Sequence, residues 1–194
     1  MRKFIVVLAS VLLLLPVVSM AKLKAPDVLD KEKIKTDEGI GKDEVIGVKP
    51  FNYDDVSYDN VDDEEMKKMK RVLPEIQEKL AKSIKFAIED RGFDAFVISE
   101  NKGADKADLI LEGEITKVNL GSAAARFWVG MGAGQAGITV TGRIKDAKTG
   151  DVLFEFEHEN TSGLSGGEKW TMVLHEAEDL GDKIGDFVKK LGGK

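Results

Sequence analysis

Few side chains in this sequence have the type and spacing to do chemistry. Glu112 and Glu114 stand two apart in ADLILEGEITKVN (107–119), which puts both carboxylates on one face of a strand. Paired carboxylates can share acid–base work when a cleft shifts one of them strongly. On a solvated sheet face the same pair only solubilises. His158 and His175 are the two imidazoles of the chain. A metal site would need both, with carboxylates such as Glu155 or Glu176, and nothing in their spacing demands one. There is no cysteine, hence no thiol nucleophile and no disulfide framework.

Three longer stretches invite a functional reading. Residues 52–65, NYDDVSYDNVDDEE, supply many oxygen ligands, but they lack the regular alternation and central glycine of a calcium loop. Residues 130–137, GMGAGQAG, contain Gly132-x-Gly134-x-x-Gly137, the bare spacing of a dinucleotide fingerprint. Gly137 leads straight into a strand pattern instead of a helix, so the βαβ setting of that fingerprint is missing. Within 121–137, GSAAARFWVGMGAGQAG, the residues Arg126, Phe127, Trp128 and Met131 stand out among glycine and alanine. Aromatic residues with arginine are common interface anchors. A crossover packed closely under a helix, or contact of Phe127 and Trp128 with a membrane surface, fits the same string. These four residues are the candidate interaction loop. No cofactor and no metal is expected.

The elements that must position these residues begin after the first 21. MRKFIVVLASVLLLLPVVSMA has a basic start, an apolar run and a small-x-small end at Ser19-Met20-Ala21, the pattern of a signal peptide cut after Ala21. Its apolar run is about 15 residues, short of the roughly 20 that span a bilayer. Cleavage leaves 173 of the 194 residues, and losing Arg2 and Lys3 takes the formal charge from −6 to −8. An acidic chain has no general pull on nucleic acid, and its charge favours solubility. The expectation is a bacterial periplasmic or secreted protein. Without a cysteine at the new N-terminus it is not a lipoprotein.

Residues 22–44 are rich in Lys, Asp, Glu and Gly and read as a flexible N-terminal arm. A single domain is expected over 45–192. Val45–Val48 forms a first strand ended near Pro50. Asp62 and Glu65 have capping-box spacing, with Val61 and Met66 placed as a hydrophobic staple. A helix near 63–90 follows, with an apolar stripe of Met69, Leu73, Ile76, Leu80, Ile84 and Ala87. Pro74 either kinks it or divides it in two. Gly92 is placed as its C′ residue. Strands are expected at 93–99 and 107–119, then a hairpin of 138–146 and 151–159 around AKTG. Gly113, in mid-strand, predicts a bulge or close packing. Ser165 and Glu168 offer a second capping box before a final helix carrying Val173, Ala177, Leu180, Ile184, Phe187 and Leu191. The order β-α-β-β-β-β-α predicts a two-layer α+β sandwich: a mostly antiparallel sheet of about four or five strands covered by two helices.

Three stretches, VIGVKPF (45–51), residues 107–157 and LGDKIGDFVKK (180–190), together resemble the bacterial envelope family catalogued as domain of unknown function 4410. The likeness rests on Gly113, Ile115, Gly121, Arg126, Gly130, Gly132, Ala133, Gly134, Asp146, Thr149 and Gly150. Many members resemble lipoproteins, from which this chain departs by lacking the acylated cysteine. The resemblance implies export and no particular reaction, cofactor or catalytic residue. More distantly the plan is similar to periplasmic parts of envelope assembly proteins, including curli secretion and Tol-system components. Read together, these features predict a non-enzymatic accessory or interaction module of the cell envelope, with an envelope protein or a membrane surface as partner. A lipid or small-molecule carrier is the second reading, and a hydrolase using surface carboxylates the third. The oligomeric state is left open.

Overall fold

The computed structural model describes residues 23–99, 103–122, 135–161 and 169–192. Among them the elements run β1 (Lys31–Ile34), β2 (Val45–Val48), β3 (Ser57–Asp59), α1 (Asp63–Asp90), β4 (Asp94–Val97), β5 (Leu109–Asn119), β6 (Gly137–Asp146), β7 (Val152–Thr161) and α2 (Lys169–Leu191). A 3₁₀ turn at Ala104–Lys106 precedes β5. The strands form one sheet in the order β1-β7-β6-β5-β2-β4, with β3 beside β5.

The α+β class and the two helices are as expected, but the sheet has seven strands and is mixed. β5, β6, β7 and β1 are antiparallel, while β2 pairs in parallel with both β4 and β5, and β3 in parallel with β5. The parallel part follows from α1, a crossover that returns the chain to the sheet in the direction it left. The two extra strands are short and polar. β1 (KEKI) comes from the expected arm, where Leu29 and Ile40 are also buried, and β3 (SYD) comes from the acidic stretch. Neither has enough apolar alternation to announce a strand.

β2 and β3 are one path along β5 interrupted at Pro50. Lys49 N donates to Leu111 O, Asn52 N to Gly113 O, and Ile115 N to Asn52 O. Proline has no N–H for the ladder, and the chain bends there. The bend turns Phe51 fully into the core, and Gln77 Nε2 of α1 donates to its carbonyl at 2.7 Å. The floor beneath the ring is Gly113, where a Cβ would fall 2.5 Å from Phe51 Cε2 and 2.3 Å from Thr141 O. Close packing is therefore the reason for this glycine. The bulge lies two residues on, between Ile115 and Lys117, and lets both Ile115 and Val118 face the core.

α1 starts on the predicted capping box. The Asp62 side chain accepts from Glu64 N and Glu65 N, and Glu65 Oε2 accepts from Asp62 N. The helix is continuous through Pro74. It ends as expected, with Gly92 at φ 82°, Gly92 N donating to Glu89 O and Phe93 N to Ile88 O. The two helices lie against one another through small residues. A Cβ at Gly181 would meet Ser83 Cβ at 2.5 Å, and one at Gly185 would meet Ala87 Cβ at 2.6 Å. Arg91 then ties the end of α1 to Asp182 and Asp186 of α2, at 2.8 and 2.9 Å. Both helices bury their apolar stripes on one face of the sheet, in a core that includes Phe51, Phe154, Phe156 and Phe187. No helix among the described residues is long and apolar enough to cross a membrane.

Candidate functional site

Side chains alternate across a strand, so the sheet face away from the helices is built from the residues between the core positions. Its register makes two cross-strand rows. One runs Lys33–Glu155–Arg143–Glu112 over β1, β7, β6 and β5, and reaches Lys49 just past β2. The other runs Lys31–Glu157–Thr141–Glu114, with Asn52 bridged to Glu114. A depression of about 640 Å³ lies over both rows.

Glu112 is the hub of the first row. Its Oε1 accepts from Arg143 Nε at 2.8 Å and from Lys145 Nζ at 2.8 Å, and its Oε2 lies 3.2 Å from Lys49 Nζ. Arg143 Nη2 is 2.7 Å from the same Oε1. The Glu112 side chain is only 14% exposed. Burial works against its ionisation, but the hydrogen bonds from Lys145, Arg143 and Lys49 outweigh it and hold the carboxyl at about 2. Such a carboxyl is a poor proton donor at neutral pH and a weak base. Glu112 therefore does not fit the acid–base role that its spacing with Glu114 allows, although the two do share the open face. Glu155 is held below the usual carboxylate range chiefly by Lys35, opposed by burial. It contacts both Lys35 and Lys33, the latter at 3.5 Å.

The histidines are not brought together. His158 faces inward near the end of β7, 9% exposed, with Nδ1 3.1 Å from Asp30 Oδ2; the same oxygen accepts from Glu159 N. His175 lies on the exposed side of α2, 3.6 Å from Asp179. Glu176 is buried and accepts from Asn160 Nδ2 at 2.8 Å. No group of three or more metal-capable side chains occurs among the described residues, the acidic 52–65 stretch included. Gly137 opens β6 and not a helix. The candidate loop Arg126, Phe127, Trp128 and Met131 lies outside the described residues, as do Ser165 and Glu168 of the expected second capping box and the expected signal peptide, residues 1–21. Residues 163–167 also have Gly-x-Ser-x-Gly spacing. That motif works where a parallel strand turns into a helix, whereas β7, which precedes it, is antiparallel to both its neighbours.

The model of the family described as Domain of unknown function (DUF4410) matches residues 46–166. The chain belongs to this family. Several residues on which the resemblance rests have structural work in this DUF4410 chain. Gly113 makes room for Phe51, and Ile115 is buried beside the bulge. Asp146, Thr149 and Gly150 build the β6–β7 turn. Asp146 Oδ1 accepts from Lys148 N and Thr149 N, Thr149 Oγ1 accepts from Asp151 N, and Gly150 has φ 79°.

No curated protein is significantly similar in sequence. Among solved structures, the chain is similar to the PelC dodecamer of Paraburkholderia phytofirmans, at 11% identity and TM-score 0.51, covering 79% of this chain and 97% of that one. It is more weakly similar to lipoprotein GNA1162 of Neisseria meningitidis, at 13% identity and TM-score 0.40, covering 66% and 91%. The C-terminal domain of LpoB from Salmonella enterica follows at 10% and 0.28, covering 64% and 87%. At these identities the likeness is one of fold.

The open face was missed by reasoning from sequence. Lys49, Arg143 and Lys145 look like separate surface charges until the register gathers them on Glu112. The period-2 pattern of β6 and β7 identifies the face, but not which residues stand opposite.

Proposed function

We propose that this chain is an exported, non-enzymatic accessory module of the cell envelope, which binds a protein partner through the open face of its sheet. The observation that carries the reading is the fixed array of charged heads around Glu112. Ion pairs at an ordinary surface are loose and contribute little. Here β6 and the end of β2 place three cations around a mostly buried carboxylate of β5, so the donors are oriented before a partner arrives, and the ordering cost of binding is reduced. Electrostatic arrays of this kind set partner choice and orientation more than raw affinity. The export part of the proposal rests on the leader pattern of residues 1–21.

PelC, similar in fold, is a dodecamer; a shared fold permits assembly here without specifying it. Two experiments test the reading. Cell fractionation, with the mass of the purified product, checks for a mature chain beginning at Lys22 in the periplasm. Cross-linking from the open face checks the contact. A full-length product retained in the cytoplasm contradicts the first part, and a face that cross-links to nothing contradicts the second.

A further inference from the structure

The depression over the open face is a trough with two unlike walls. Its floor is the row between the two charged rows. Glu32, Phe156, Gly142 and Gly113 stand opposite one another there, across β1, β7, β6 and β5, with Pro50 beyond them. None of the four strand residues fills the trough with a side chain. Phe156 is buried in the core, and the Glu32 carboxylate turns back to the N–H groups of residues 27–29. Four strand spacings of about 4.8 Å make the trough about 19 Å long, and rows two residues apart set its walls about 7 Å from one another. The walls carry opposite charge. In the first row Glu155 meets Lys33 and Lys35, and Glu112 meets Lys49, Arg143 and Lys145, so five cations on two carboxylates leave three positive charges. In the second row Lys31 is matched by Glu157. Glu114 makes no ion pair among the described residues, and neither do Asp54 and Asp55, which line a notch with it, so three negative charges are left. The two surpluses are equal and opposite. A ligand of one sign is drawn to one wall and repelled by the other.

We infer that this trough holds an extended segment of the partner protein, about six residues long, in which acidic and basic side chains alternate. Successive side chains of an extended chain point to opposite sides. Alternation therefore sends every carboxylate to the basic wall and every cation to the acidic one. A helix is about 10 Å across, too wide for these walls. An anionic glycan has one sign only and is repelled by the second wall. The floor strands β7, β6 and β5 are already paired on both sides, so the segment is read through the position of its charges and not through added ladder bonds. This deepens the reading of the open face as a surface for a protein partner and rests on it. Salt screens such contacts beyond about 10 Å at 0.1 M and more steeply above that, so binding weakens as salt rises.

The test is fluorescence anisotropy of labelled hexapeptides with residues 22–194. In about 0.05 M salt, a peptide of alternating glutamate and lysine should bind roughly tenfold more tightly than a block peptide of the same composition, glutamates first and lysines after. Its affinity should fall roughly tenfold by about 0.5 M salt. Glu114→Lys with Asp55→Lys reverses the sign of the second wall. Hexaglutamate, weak on the wild type, should then bind roughly tenfold better while the alternating peptide weakens, a gain that a misfolded variant does not give. Equal binding of the alternating and block peptides, binding indifferent to salt, or an unaltered preference in the double variant would overturn the inference. Alginate, a polyanionic glycan, binding more tightly than the alternating peptide would also overturn it. If no peptide binds while cross-links from the open face still capture a protein in cells, the extended segment is refuted and the binding face stands. If those cross-links capture nothing either, both readings fall.

Discussion

Gly113 lies directly beneath the Phe51 ring, and a Cβ at this position would fall 2.5 Å from Phe51 Cε2 and 2.3 Å from Thr141 O. The neighbour on β6 is also a glycine: at Gly142 a Cβ would meet Phe156 Cζ at 2.2 Å. Two aromatic rings thus rest on two paired glycines where the sheet meets the core. The strands that carry the charged rows on the opposite face are held at this point.

Gly113→Ala should therefore cost stability through overpacking, by about 2–3 kcal/mol. The clash is partly with a carbonyl of the adjacent strand, which cannot rotate away. Urea denaturation of residues 22–194 checks this, and an unchanged midpoint would count against the packing described.

Glu112→Gln should destabilise the fold and alter its acid response. In wild type the folded carboxyl sits at about 2 and the unfolded one near 4.5. The depressed value means that the stabilisation is fully present above about pH 4.5 and is lost as pH falls towards 2. Allowing for solvent screening, it amounts to roughly 1–2 kcal/mol. In the variant this component of the pH dependence should be missing. Unfolding curves at a series of pH values, run on both proteins, test the difference; parallel curves would argue against the three-cation clamp.

Gly185→Leu should cost about 2–4 kcal/mol, because the helices meet there with Ala87 Cβ only 2.6 Å from the new Cβ. Gly150→Ala offers a contrast. Its Cβ meets nothing within 4 Å, but φ is 79°, so only the left-handed backbone is penalised, by about 1–2 kcal/mol. Thermal melting should rank the two in that order.

Glu32 holds the entry to β1. Its carboxylate accepts from Asp27 N, Val28 N and Leu29 N, at 2.9, 2.7 and 2.8 Å. Glu32→Ala should release these donors and loosen β1 from β7, with a global cost of only about 1 kcal/mol. Hydrogen exchange should show faster exchange at residues 27–34 and little change in α1 and α2. Uniformly faster exchange would mean that β1 is integral to the whole fold.

The elements with strong apolar periodicity were legible in the sequence. The 63–90 helix, its Asp62–Glu65 cap and its Gly92 end need only local rules, as does the β6–β7 turn at Asp146–Gly150. β1 and β3 were not legible, because KEKI and SYD bury little and are strands only through the neighbours they pair with. The parallel pairing of β2 is also non-local, since Val45–Val48 reads the same in either direction. The Gly181–Gly185 contact was hidden for a similar reason: small residues within an apolar stripe acquire meaning only when Ser83 and Ala87 are found opposite. Of the candidate site, Glu112 was visible as half of a carboxylate pair. Its role reversed once the register delivered three cations to it.

The central claim is that the open sheet face, and not the helix face, meets the partner. Site-specific photo-cross-linking in the producing cell tests it most directly, with the probe at Lys33 on the open face or at Lys82 on the exposed side of α1. The account predicts a discrete cross-linked species from position 33, diminished by Arg143→Glu, and none from position 82. Cross-links from position 82 alone, or equal yields from both positions, would contradict it.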